Sequence, residues 1–97
     1  MNTLTNTKLV GVECSFHFSN AVTGDDLARI ERQVQRTIEG LEYSANSMFF
    51  ISHKEVRAVI GIEIDGFNPY KSYDELRKPL QRLIDSHKEE ATYGFSN

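Results

Sequence analysis

Leu9-Val10-Gly11-Val12-Glu13-Cys14-Ser15-Phe16-His17-Phe18-Ser19 alternates without a break: Val10, Val12, Cys14, Phe16 and Phe18 fall on one side, and Gly11, Glu13, Ser15, His17 and Ser19 on the other. A β-strand repeats every two residues, so the segment predicts a strand with one face in a core and the other open to water or to a contact. The apolar side needs a cover, and the chain downstream offers two helices for it.

Asn20 to Val22 reads as a turn, and Thr23-Gly24-Asp25-Asp26 as a helix start, with Thr23 capping an orphan amide and the two aspartates at the positive end. Val22 and Leu27 are spaced for a hydrophobic staple. Leu27, Ile30, Val34, Ile38 and Leu41 then form one apolar stripe at helical period, ending between Gly40 and Asn46.

Ser47 to Ser52 is short, apolar and aromatic, and predicts a second strand. Val56 to Ile64 predicts a third, joined to it through His53-Lys54-Glu55 as a hairpin. With Val59 and Gly61 on its outer side, the third strand is the less polar of the two long ones and belongs at the sheet centre. Asp65 to Lys71, with Gly66, Asn68 and Pro69, reads as a loop. Ser72-Tyr73-Asp74-Glu75 fits a capping box, so a second helix is expected from Ser72, with Leu76, Leu80, Leu83, Ile84 and His87 inward. Pro79 lies past the first turn, where it predicts a kink or break near Glu75 to Lys78. Ala91 to Asn97 is a tail that docks or frays.

The order is β-α-β-β-α. A right-handed crossover followed by a hairpin gives an α+β fold with a three-stranded, antiparallel-type sheet in the order 1-3-2, both helices on one face and the other face open. At 97 residues this is one domain over 1–97, with 1–8 and 91–97 as flexible ends. Cys14 is the sole cysteine, which precludes an internal disulfide and suits the reducing cytoplasm. The opening residues lack the pattern of a signal peptide, and no apolar run reaches membrane-spanning length. The net charge of −3 argues against a partner held mainly through phosphates.

The open face should carry Glu13, Ser15 and His17 from the first strand, Arg57, Val59 and Glu63 from the third, and either Met48 and Phe50 or Phe49 and Ile51 from the second. Adjacent strand residues point to opposite sides, so one phenylalanine is core and the other exposed; alternation does not say which. Glu13, Ser15 and His17 invite comparison with a catalytic triad. Alternate residues on a strand lie ~6.5 Å apart with near-parallel side chains, whereas a triad needs successive hydrogen bonds. No enzyme is expected. His17, His53 and His87 are scattered, and Glu63 with Asp65 and His17 falls short of a metal shell, so neither metal nor cofactor is predicted. An exposed aromatic beside Val59, rimmed by Arg57, Glu13 and His17, has the composition of a protein contact unless Tyr93 or Phe95 of the tail covers it. The first strand, at a sheet edge, offers backbone groups to a partner or to a second copy, a homodimer. Arg29, Arg32 and Arg36 along the first helix form a basic ridge, the basis of an alternative nucleic-acid or nucleotide-binding reading.

Ser15-Phe16, Ser19, Val22-Thr23, Asp25, Ala28 and Ile30-Glu31-Arg32 resemble the strand-to-helix segment of a family of small phage host-takeover proteins that antagonise the nucleoid protein H-NS. The likeness spans about a fifth of the chain. It implies a non-enzymatic inhibitor or regulator, encoded by a phage or mobile element, that binds a host protein; no functional residue carries over. With the residue pattern, it predicts a cytoplasmic protein-binding module acting through its open sheet face or an edge strand.

Overall fold

The computed structural model describes residues 7–87 and, as backbone, 91–96. The expected flexible N-terminal end falls largely on residues 1–6, outside the described residues. Six elements follow one another: β1 (Thr7–His17), α1 (Gly24–Glu39), β2 (Ala45–Ile51), β3 (Glu55–Asp65), α2 (Pro69–Asp85) and β4 (Ala91–Ser96). The first three strands stand in the order expected, with β3 antiparallel to both β1 and β2. The tail then adds β4 antiparallel to β1, which makes a four-stranded sheet in the order β2-β3-β1-β4. Instead of lying across the open face, the tail joins the plane of the sheet. That corrects the expectation of β1 as an edge open to strand addition: both its sides are taken.

Alternation along β1 and β3 sets the core. Val10, Val12, Cys14 and Phe16 meet Val56, Ala58, Ile60, Ile62 and Ile64 beneath Ile30 and Val34 of α1 and Leu76, Leu80 and Leu83 of α2, all fully buried. Burying a Leu, Ile, Val or Phe side chain is worth roughly 1.5–3 kcal/mol, so this one layer dominates the stability of the domain.

The chain enters α1 as its sequence predicts. Thr23 Oγ1 accepts from the Asp26 amide at 3.1 Å, and the Asp26 carboxylate accepts from the Thr23 amide at 3.0 Å, a reciprocal capping box. These backbone and hydroxyl donors hold the Asp26 carboxyl below its usual range. Val22 and Leu27 both pack on the core. The β2–β3 turn is tied to the same connection, since the Val22 amide donates to the His53 carbonyl at 2.8 Å and the Phe18 amide to that of Lys54 at 2.9 Å.

The second helix starts earlier than Ser72. Asn68 is the N-cap, its side chain accepting from the Lys71 amide at 3.3 Å, and Pro69 opens the first turn. Proline is pre-organised there, because its missing N–H would have no intrahelical partner anyway. Ser72 instead lies inside the helix, 1% exposed. The helix also continues through Pro79 without the expected break. Losing one amide bond at proline costs about 3 kcal/mol or more. Burial of Leu76, Leu80 and Leu83 on both sides of Pro79 offsets that cost.

Candidate protein-binding face

The side of the sheet away from the helices is a grid whose rows the register defines. Glu13 pairs with Val59 and Val59 with Met48; in the next row Ser15 pairs with Arg57 and Arg57 with Phe50. Phe49 pairs with Ala58 and packs against the core, so Phe50 is the exposed phenylalanine. Met48 is 60% and Phe50 46% exposed, and with Val59 beside Met48 in its row they make one apolar spot across two strands. Of the two sets that alternation allows for β2, the phase of β2 against β3 selects Met48 with Phe50 over Phe49 with Ile51.

Arg57 organises the polar part. Its guanidinium carbon lies 5.1 Å from the centre of the Phe50 ring, a cation–π stack, and Nη1 stands 3.9 Å from Glu13 Oε1. Its Nε is covered and has no hydrogen-bond partner among the described residues. The stack holds the ring and the long side chain together, which lowers the ordering cost of a contact made by either. One row further, His17 Nε2 lies 3.4 Å from Glu55 Oε2. The structure therefore brings together Glu13, Ser15, Phe50, Arg57 and Val59, with His17 at the border. It assigns Phe49 to the other side.

His17 is oriented by Glu55 across the strand pair, while Glu13 is drawn to Arg57. Neither carboxylate links Ser15 and His17 into a relay of the kind nucleophilic catalysis uses. Glu63 pairs with Leu9, at the opposite end of β1 from His17. Eight residues of strand, about 27 Å, separate two groups that a shared cation site would need within a few ångströms. Cys14 is fully buried, and its thiol is pushed up to about 12 by burial and by neighbouring Glu13, so it is no thiolate nucleophile.

Arg29, Arg32 and Arg36 lie on α1, hence on the helical side of the sheet, away from Arg57. Arg29 is also engaged, with Nη2 3.3 Å from Asp26 Oδ1. The ridge and the open face do not form one surface. Sequence reading missed Phe67 and Tyr70, 75% and 77% exposed around the start of α2. They fall in the Asp65–Lys71 segment, which Gly66, Asn68 and Pro69 mark as a loop.

No helix among the described residues is long and apolar enough to cross a membrane. No protein-family model matches the chain, and no curated protein matches it. Among solved structures it is similar to the de novo designed protein Ferredog-Diesel, at 11% identity over 97% of this chain and 91% of that one, with a TM-score of 0.49. It is similar to the de novo designed protein Foldit4 at 14% identity over 93% and 98%, with a TM-score of 0.43. A dimeric ferredoxin-like protein of unknown function from Thermobifida fusca matches at 14% identity over 98% and 95%, with a TM-score of 0.48. By its own element order and strand order, β-α-β-β-α-β with both helices on one face, the chain has the ferredoxin-like arrangement.

Proposed function

We propose that this protein is a non-enzymatic binding module that occupies a host or partner protein through its open sheet face. The observation that carries the reading is the spot formed by Met48, Val59 and Phe50, with Arg57 stacked on the ring and Glu13 beside it. Interface centres are enriched in Met, aromatic residues and Arg, surrounded by a polar rim, and this face combines them in two adjacent rows. The partial likeness of the β1–α1 segment to phage antagonists of H-NS agrees with a protein ligand. A buried, unreactive thiol agrees with action in the cytoplasm.

Affinity capture from the native host with the wild-type chain, Phe50→Ala and Arg57→Ala tests it. The expected result is a captured protein that is lost with both variants while their circular dichroism matches the wild type. Retention of the same protein by both folded variants would overturn the reading.

A further inference from the structure

The outer edge of β2 has a defined hydrogen-bonding pattern and no occupant among the described residues. The Glu63 amide donates to the Ser44 carbonyl and the Ser52 amide to the Glu55 carbonyl, each at 2.9 Å, at the two ends of the β2–β3 ladder. Antiparallel pairing alternates between them, so Asn46, Met48 and Phe50 turn their backbone groups to β3, while Ala45, Ser47, Phe49 and Ile51 turn theirs outward. Sheet edges are usually guarded by charge, proline or a bulge. β2 has none of these: Ala-Asn-Ser-Met-Phe-Phe-Ile is uncharged and free of proline, and it pairs with β3 residue for residue. The opposite edge, β4, is shorter and interrupted by Gly94, a residue that weakens a strand.

We propose that two copies of this chain pair antiparallel through β2, giving one continuous eight-stranded sheet. The register follows from the outward groups. Only a two-fold axis at Met48 gives every outward residue a partner, Ala45 with Ile51 and Ser47 with Phe49 of the second copy. An axis at residue 47 or 49 leaves one outward residue of each copy beyond the partner strand. Away from the axis, where Met48 meets Met48, a large side chain meets a smaller one in the chosen register: Ile51 against Ala45, Phe49 against Ser47, Phe50 against Asn46. No charge faces a like charge, although the chain carries a net −3. The strip is about 24 Å long and covers Met48 and Ile51, both more than half exposed in one copy. A strip this narrow falls at the small end of the range for specific interfaces, so the dimer is concentration-dependent. Pairing also brings the two Met48–Val59–Phe50 spots together around the axis. The inference rests on the edge and not on what the open face binds, so capture and assembly fail or succeed separately.

Cysteine cross-linking of the full chain tests the register. Met48 would face Met48 of the second copy as a non-hydrogen-bonded pair with Cα atoms ~4.5 Å apart, within disulfide reach. Cys14 is buried and will stay silent. Under mild oxidation Met48→Cys should form a disulfide dimer on a non-reducing gel, while Val59→Cys, one strand further in, should not. Sedimentation should show a monomer–dimer equilibrium in the wild type, displaced toward monomer by Ser47→Pro, which removes an outward donor and leaves the β3 ladder intact. A wild type that stays monomeric at hundreds of micromolar would overturn the proposal. So would a dimer in which Met48→Cys does not cross-link, a result that holds whether or not Ser47→Pro folds.

Discussion

Phe49 and Phe50 are chemically identical neighbours on one strand with opposite surroundings. Phe49 sits above Ala58 and packs on the core under the helices, whereas Phe50 lies in the open with an arginine stacked on it. The same contrast runs along the paired strands: from Val10 to Phe16 and from Val56 to Ile64 the helical side is fully buried, while the other side carries Glu13, Ser15, His17, Arg57 and Val59. Residue type alone therefore says little about role here. The parity of the strand decides whether an apolar side chain stabilises the fold or serves a contact.

The contrast is most directly broken in the core. Phe16→Ala should cost about 3–5 kcal/mol, as expected for a phenylalanine removed from a packed interior. Val59→Ala, on the open face of β3, should cost less than about 1 kcal/mol. Chemical denaturation of both variants reads the difference; equal costs would mean the open face is covered. Phe49→Ala and Phe50→Ala sharpen the comparison within one strand. A loss of roughly 1–3 kcal/mol is expected for the half-buried Phe49 and about 0.5 kcal/mol or less for Phe50.

A smaller effect concerns the helical side alone. His87, just beyond α2, is buried edge-to-face against Phe16 with ring centres 4.6 Å apart, and its Nε2 has no hydrogen-bond partner among the described residues. Burial, with a lesser contribution from the Arg29 charge, holds its pKa below the ordinary histidine value. An unfolded histidine titrates near about 6.5. Below that pH the unfolded chain takes up a proton that the folded chain resists, so stability is complete above it and falls as pH drops toward the lower folded value. Denaturant midpoints measured between about pH 7.5 and pH 5.5 should decrease on acidification, and His87→Gln should flatten that slope. An unchanged slope would place the titration elsewhere. Least of all, Glu13→Gln should alter stability by less than about 0.5 kcal/mol, because its ion pair with Arg57 is exposed and long.

Much of the fold was legible in the sequence because β1 and β3 alternate cleanly and Thr23 announces α1. The start of α2 was not, because Asn68-Pro69 suits a turn and an N-cap with proline in the first turn equally well, and Ser72 with Glu75 offered a second capping pattern one turn later. Pro79 misled for a related reason: its local cost is real, but leucines far apart in sequence from the strands they bury decide the outcome. β4 depends on a bare edge of β1, about 80 residues upstream, that no local pattern reports. Of the candidate face, Glu13, Ser15, His17, Arg57 and Val59 followed from alternation. The choice of Phe50 over Phe49, and the presence of Met48, needed the β2–β3 register, since alternation gives period without phase.

The central claim is that the sheet face away from the helices is the working surface. The direct measurement is amide chemical-shift mapping of the isotopically labelled chain titrated with the captured partner. Perturbations concentrated at Met48, Phe50, Arg57, Val59 and Glu13 are predicted. A footprint on Arg29, Arg32 and Arg36, with the open face unmoved, would contradict it.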